Sequence, residues 1–339
     1  LAVLTTHSRC NEVGSGMSEL KTLLADQSGL IVTLDEKADQ SLDNQQLILQ
    51  KLNQLVDRNA SLSVPQSLET QAPRSSLIAS SRLLDSDGAA RLTKLIGRDV
   101  EKGNLTRAWN AAGLNIVVLV AWGGVGKTAL VTDWFSRRFN PHWSGVDAFF
   151  DWTFYSQGTR DQSAANSDAF LAAALNHFGD PATAASGLNA DSKARRLAEL
   201  IVQQRTLLIL DGVEPLQHPK KPHALEGRFK DPGIERLLKC LAQSQMPGLC
   251  VVTTREPIID LQPFHGTTVR EYGLQHLTVK RGAELLHLSG ANRAGDTDIG
   301  VDDPLLLDTA KEVRGHALTL QLLGGYLRQA HGGDIRRAD

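Results

Sequence analysis

The sequence predicts an α/β fold, a parallel five-stranded sheet flanked by helices. Five short apolar or β-prone runs have strand length: 116–120, 146–155, 206–210, 248–255 and 267–272. Segments with helical spacing lie between them. The first run ends in a glycine-rich turn and the third ends in an acid, which is how the carboxyl ends of such a sheet carry chemistry.

Composition sets the bounds. The 339 residues leave room for about two domains. A net charge of −2 supplies no basic field for non-specific nucleic-acid binding. No apolar run nears the ~20 residues that cross a bilayer, and residues 1–10 lack the pattern of a signal peptide. Cys10, Cys240 and Cys250 are odd in number and widely spaced, which suits a reducing cytoplasm and no metal site. The chain starts at Leu1, with methionines only at Met17 and Met246, and reads as a fragment or a processed chain.

Residues 1–60 read as a helical segment. Leu20, Leu24, Ile31 and Leu34, then Leu42, Leu49, Leu52 and Val56, recur in steps of three, four and seven. Two readings stand: a short coiled coil, as an oligomerisation stalk or the tail of an upstream effector domain, or an amphipathic helix packed on the rest of the chain. Residues 61–90, with Pro65, Pro73 and many serines at their start, read as a linker. An α/β domain is expected over 91–272 and a helical lid, cut short, over 273–339.

Ile96-Gly97-Arg98 precedes a polar helix through Leu105, Ala108 and Trp109. The apolar strand Ile116 to Val120 follows, then Ala121-Trp-Gly123-Gly124-Val125-Gly126-Lys127-Thr128-Ala129. Strand, turn and helix in this order read as a phosphate-binding P-loop, so the 91–272 domain is expected to bind nucleotide. Glycines let the backbone curl round an anion, and amide N–H groups point at it. Lys127 would reach the β- and γ-phosphates, and Thr128 would hold Mg²⁺. Ala121 stands where the pattern's first glycine belongs, and its small side chain should let the loop survive.

Leu130, Val131, Trp134 and Phe135 form the buried stripe of the next helix. Val146 to Tyr155 is aromatic and β-prone, so it is the second strand, with its rings in the core. Two helices are expected before Arg205, through 170–178 and 197–204.

Thr206 to Leu210 is a fully apolar strand that ends in Asp211-Gly-Val-Glu214. Its carboxyl end should lie beside the P-loop, with Asp211 at Mg²⁺ and Glu214 polarising an attacking water. The basic, proline-containing stretch 217–231 is either a contact for partner or nucleotide or a solvated loop. Gly248 to Arg255 is another buried strand, and the planar guanidinium of Arg255 at its end could read the γ-phosphate. Beyond Leu274 the pattern is helical, broken at Arg314-Gly315-His316-Ala317-Leu318.

Together Ile96-Gly97-Arg98, Gly-Gly-Val-Gly-Lys127-Thr128, Leu-Leu-Ile-Leu-Asp211-Gly, Val-Val-Thr-Thr-Arg255 and Gly315-His-Ala-Leu-Thr-Leu resemble the STAND class of signalling NTPases. The likeness covers about 90–335 and is closest to the NB-ARC-type ATPases of bacterial multidomain signalling and defence regulators. Asp211-Gly-Val-Glu214 also looks like the acidic motif of the related NACHT group.

The resemblance implies an ATP/ADP switch with slow Mg²⁺-dependent hydrolysis. It further implies homo-oligomerisation on activation, with effector and sensor domains on a full-length chain. It places Gly97 and Arg98 at adenine, Gly123 to Ala129 at the phosphates, Asp211 at the metal and Arg255 at the γ-phosphate. It also places His316 at the nucleotide, in a Gly-x-Pro motif whose proline is here Ala317. A non-hydrolysing nucleotide-binding scaffold is the alternative. A DNA-binding regulator has no support from any clustered basic helix.

Overall fold

In the computed structural model, the described residues are Leu83, 95–139, 142–154, 167–218 and 227–338. The segment expected to be helical over 1–60 lies outside them, as does most of the linker over 61–90. Leu83 falls within that linker and is buried, with its N–H on Asp151 Oδ2 at 3.0 Å. The described residues belong to two compact units.

The larger unit holds residues up to Leu286 together with Leu307–Leu322. Its strands are β1 (Ile116–Val120), β2 (Ala148–Thr153), β3 (Thr206–Asp211), β4 (Leu249–Thr254) and β5 (Val269–Gly273). They form one sheet in the order β2-β3-β4-β1-β5, with every neighbouring pair parallel. β4 lies between β3 and the P-loop strand β1, and the carboxyl end of β3 still reaches the P-loop, where Asp211 meets Thr128 at 2.9 Å.

The inner strands β1, β3 and β4 are apolar on both faces because helices cover both, whereas the edge strand β5 carries Arg270 and Glu271. Along β1, Ile116 and Val118 enter one core while Val117 and Leu119 enter the other. β3 and β4 alternate in the same way, as a strand's period of two requires. On the first face pack α3 (Asp168–His177), α5 (Ala190–Ile201) and α6 (Pro232–Gln243). On the second pack α1 (Asp99–Asn110) and α2 (Lys127–Phe139).

The aromatic second strand divides its rings between the cores. Phe149 meets Phe135 and Trp143, and Phe150 and Trp152 meet Phe170. Each such fully buried ring contributes about 2–3 kcal/mol. Trp134 Nε1 donates to Thr106 Oγ1 at 3.0 Å and ties α2 to α1.

Boundaries move inward where local chemistry ends an element. β2 is shorter at both ends than the expected 146–155, and β5 starts two residues late. A short α4 (Pro181–Ala185) was not expected; Asp180 caps it by accepting from the Thr183 N–H, and Pro181 fits its first turn. α5 runs earlier than expected because Asn189 accepts from the Ser192 N–H and starts it.

Past β5 come α7 (Val279–Ser289), α8 (Pro304–Glu312) and α9 (Ala317–His331). Gly315, at φ +68°, ends the α8 segment in the left-handed conformation, and its N–H returns to Ala310 O at 2.9 Å.

The smaller unit contains 287–306 and 323–339. An all-helical C-terminal region was expected, but this unit holds a hairpin of β6 (Arg293–Ala294) and β7 (Thr297–Asp298). Gly295, at φ +65°, turns it. Two-residue strands are too short to show a period, so helical spacing around them concealed the hairpin.

Candidate functional site

The loop between β1 and α2 is held through its carbonyls. Lys127 Nζ donates to Ala121 O at 2.6 Å and to Trp122 O at 3.1 Å. His316 Nε2 bonds Gly123 O at 2.9 Å, the Leu318 N–H donates to Gly124 O at 3.1 Å, and Arg98 Nη2 donates to Val125 O at 3.0 Å. Gly126 O takes the Leu130 N–H of α2 at 2.9 Å.

In a trans peptide the carbonyl and the following N–H point opposite ways. With the Gly123, Gly124 and Val125 carbonyls engaged by His316, Leu318 and Arg98, the N–H groups of Gly124, Val125 and Gly126 point away from those donors, the orientation that anion binding on the opposite side uses. Gly124 and Gly126 have φ of +72° and +100°, which only glycine adopts without strain. Arg255 passes close to Gly123: a Cβ there would meet the guanidinium carbon at 3.4 Å, an ordinary contact. Ala121 is buried and its N–H reaches Thr254 O at 3.1 Å, so the loop closes with alanine in place of the first glycine.

Asp211 ends β3 with its side chain 2% exposed. Its carboxylate accepts from Thr128 Oγ1 at 2.9 Å and from Thr253 Oγ1 at 2.7 Å. Burial is the main cause that raises its pKa above the ordinary carboxylate value, with the Glu214 charge adding to it. Both hydroxyl bonds and Lys127 oppose the rise. Lys127 is buried as well, which lowers its pKa; Arg255 acts in the same direction, while Glu214 and Asp211 oppose it. Glu214 Oε1 lies 3.3 Å from Arg255 Nε. Thus Lys127, Thr128, Asp211, Glu214 and Arg255, read from separate stretches of sequence, meet at one end of the sheet.

Gly97 and Arg98 lie behind the loop. Arg98 is buried and also bonds Gln275 O at 2.8 Å and Glu101 at 3.0 Å. Gly97, at φ +67°, passes so close to Arg281 that a Cβ would lie 2.9 Å from its Cγ. Ala129 sits in the first turn of α2.

Sequence reasoning missed three contributors. Thr253 ties Asp211 to β4 and accepts the Gly212 N–H at 2.9 Å. Thr254 donates to Gln217 at 2.6 Å, and Gln217 in turn holds Gly227 O at 3.1 Å. Leu318 acts through its backbone. Two threonines at the end of an otherwise apolar strand were the only available signal. Of the basic stretch 217–231, residues 219–226 lie outside the described set.

Among the described residues, no three His, Cys, Asp or Glu side chains cluster as a metal site, and no helix is long and apolar enough to cross a membrane. No family model matches the chain, and no curated protein matches it.

Solved structures similar to it include a signal transduction ATPase with numerous domains, bearing a tetratricopeptide repeat sensor, from Pyrococcus horikoshii. That match has 17% identity and a TM-score of 0.41, and covers 67% of this chain but 29% of that one. A Walker-type ATPase of Pyrococcus abyssi matches at 14% identity and a TM-score of 0.45, over 72% of this chain and 70% of that one. The Aeropyrum pernix ORC1 protein, solved in complex with DNA, matches at 18% and 0.47, over 75% and 66%. These superpositions are too loose to carry the assignment. It rests on the parallel sheet order, the carbonyl-out loop between β1 and α2, and the acid that ends β3: the chain has the α/β P-loop fold.

Proposed function

We propose that the chain is the nucleotide-binding part of a STAND-class switch of NB-ARC type. It binds ATP and ADP with Mg²⁺, hydrolyses ATP slowly, and converts the nucleotide state into conformational change and self-association within a longer signalling or defence regulator. The observation that carries this reading is the meeting of Lys127, Thr128, Asp211, Glu214 and Arg255 around an N–H-lined loop.

The phosphates lie against the N–H groups from Gly123 to Ala129. Lys127 leaves the Ala121 and Trp122 carbonyls for phosphate oxygens, and its burial strengthens that attraction. Thr128 and Asp211 offer hard oxygen ligands, a pair that fits Mg²⁺ with phosphates and water completing its shell. Bound there, the ion would neutralise charge on the β- and γ-phosphates.

Glu214 orients the attacking water and takes its proton as the bond from γ-phosphorus to the β-bridging oxygen breaks, leaving ADP and inorganic phosphate. Arg255 pairs with Glu214 at 3.3 Å and must turn to the γ-phosphate to act on it, which suits slow turnover. Gly97 and Arg98 build the wall behind the loop on the adenine side.

The test is titration calorimetry with ADP and ATP, followed by phosphate release at saturating ATP. Lys127→Ala is expected to abolish binding. Glu214→Gln is expected to keep affinity within about threefold and to slow hydrolysis at least about 100-fold. Binding without any phosphate release by the natural chain would favour the scaffold reading; unchanged affinity in Lys127→Ala would sink both.

A further inference from the structure

The His316 ring is held at both nitrogens by protein. The Thr319 N–H, which can only donate, points at Nδ1 at 3.3 Å, and Thr319 Oγ1 lies 2.8 Å from the same atom. Nδ1 is therefore the acceptor, so Nε2 carries the hydrogen and donates to Gly123 O at 2.9 Å. The ring lies directly against the loop: a Cβ on Gly124 would come within 2.6 Å of His316 Cε1. Gly315, whose carbonyl accepts from the Leu277 N–H at 3.0 Å, sets the turn that presents the imidazole.

We propose that His316 is a positioning residue of the phosphate loop: its Nε2–H holds the Gly123 carbonyl outward and so aims the Gly124 N–H at a bound phosphate. The proposal rests on the nucleotide-binding reading but assigns His316 to the loop rather than to the nucleotide, since neither ring nitrogen is left to face a ligand. The next two peptides are held in the same sense by the Leu318 N–H and by Arg98. Two of these three donors are successive parts of one turn, so loop geometry and the first turn of α9 are set together. Nucleotide phosphates that reorient the loop would move that turn with it.

A role confined to stability would affect every ligand alike, whereas a peptide-orienting role touches phosphate alone. The experiment is titration of the full chain with ADP and with adenosine. His316→Leu is expected to raise Kd for ADP about tenfold, the size of one well-placed hydrogen bond, and to leave adenosine affinity unchanged. His316→Gln, whose side-chain amide can donate from nearly the same place, is expected to restore ADP affinity to within about threefold. His316→Asn is too short to reach; it should behave like the leucine variant and replaces it should that variant not fold.

Trp122 adds a readout that needs no nucleotide, because it adjoins Gly123 and is 72% exposed. Its emission, taken as the difference from Trp122→Phe, is expected to shift in His316→Leu and to be restored in His316→Gln. Equal ADP affinity in the leucine and natural chains overturns the proposal, as does parallel loss of ADP and adenosine. A natural chain that binds no ADP defeats the nucleotide reading instead; the Trp122 spectrum then still decides whether His316 sets the loop.

Discussion

Asp211 carries a cost that only its setting reveals. Its carboxylate is buried, and burial raises its pKa even though two threonine hydroxyls stabilise the charge. A carboxyl with a raised folded pKa binds more protons folded than unfolded, so its contribution to stability falls as pH rises from 3.8 through the folded value. Above that value the penalty is fully present. Asp211→Asn removes the charge and keeps an acceptor for Thr128 and Thr253. Thermal unfolding without nucleotide or magnesium should therefore show the variant more stable at pH 7, by roughly 2 °C or more, with the gap closing toward pH 4. A less stable variant at pH 7 would contradict the assignment. Lys127, Thr128, Asp211 and Arg255 were legible as candidates because each sits next to a strand end or a glycine turn in the chain. Thr253, Thr254 and Leu318 were not, because what they do depends on neighbours tens of residues or more away.

At the scale of elements, β4 decides the site. By lying between β1 and β3 it places Thr253 on Asp211 and Arg255 over Gly123. Its entry is tight: a Cβ on Gly248 would lie 1.9 Å from Thr206 O, a backbone atom that cannot move without shifting β3. Gly248→Ala is expected to destabilise the fold by about 3 kcal/mol in urea unfolding. Unaltered stability would mean that β3 and β4 can part at that end without cost. The strands were legible because apolar runs bounded by glycine or polar residues have few alternatives. α4 and the β6–β7 hairpin were not, since five- and two-residue elements show no period, and capping by Asp180 and the turn at Gly295 are what define them.

For the molecule as a whole, binding and folding are linked. A ligand held only by the folded chain adds RT ln(1 + [L]/Kd) to stability, about 2.7 kcal/mol at one hundred times Kd. ADP with magnesium is therefore expected to raise the unfolding temperature by several degrees in the natural chain and to leave Lys127→Ala where it was. A shift of equal size in the variant would show binding elsewhere. Apolar periodicity, glycine turns and strand-end acids were enough to establish the sheet, its helices and the P-loop, because those signals act through residues adjacent in the chain. Strand order, and the identity of the groups that turn each loop carbonyl outward, belonged to the tertiary structure alone. Arg98, His316 and Leu318 reach residues 123–125 from opposite ends of the described chain, and a hydrogen bond depends on distance in space rather than on separation in sequence.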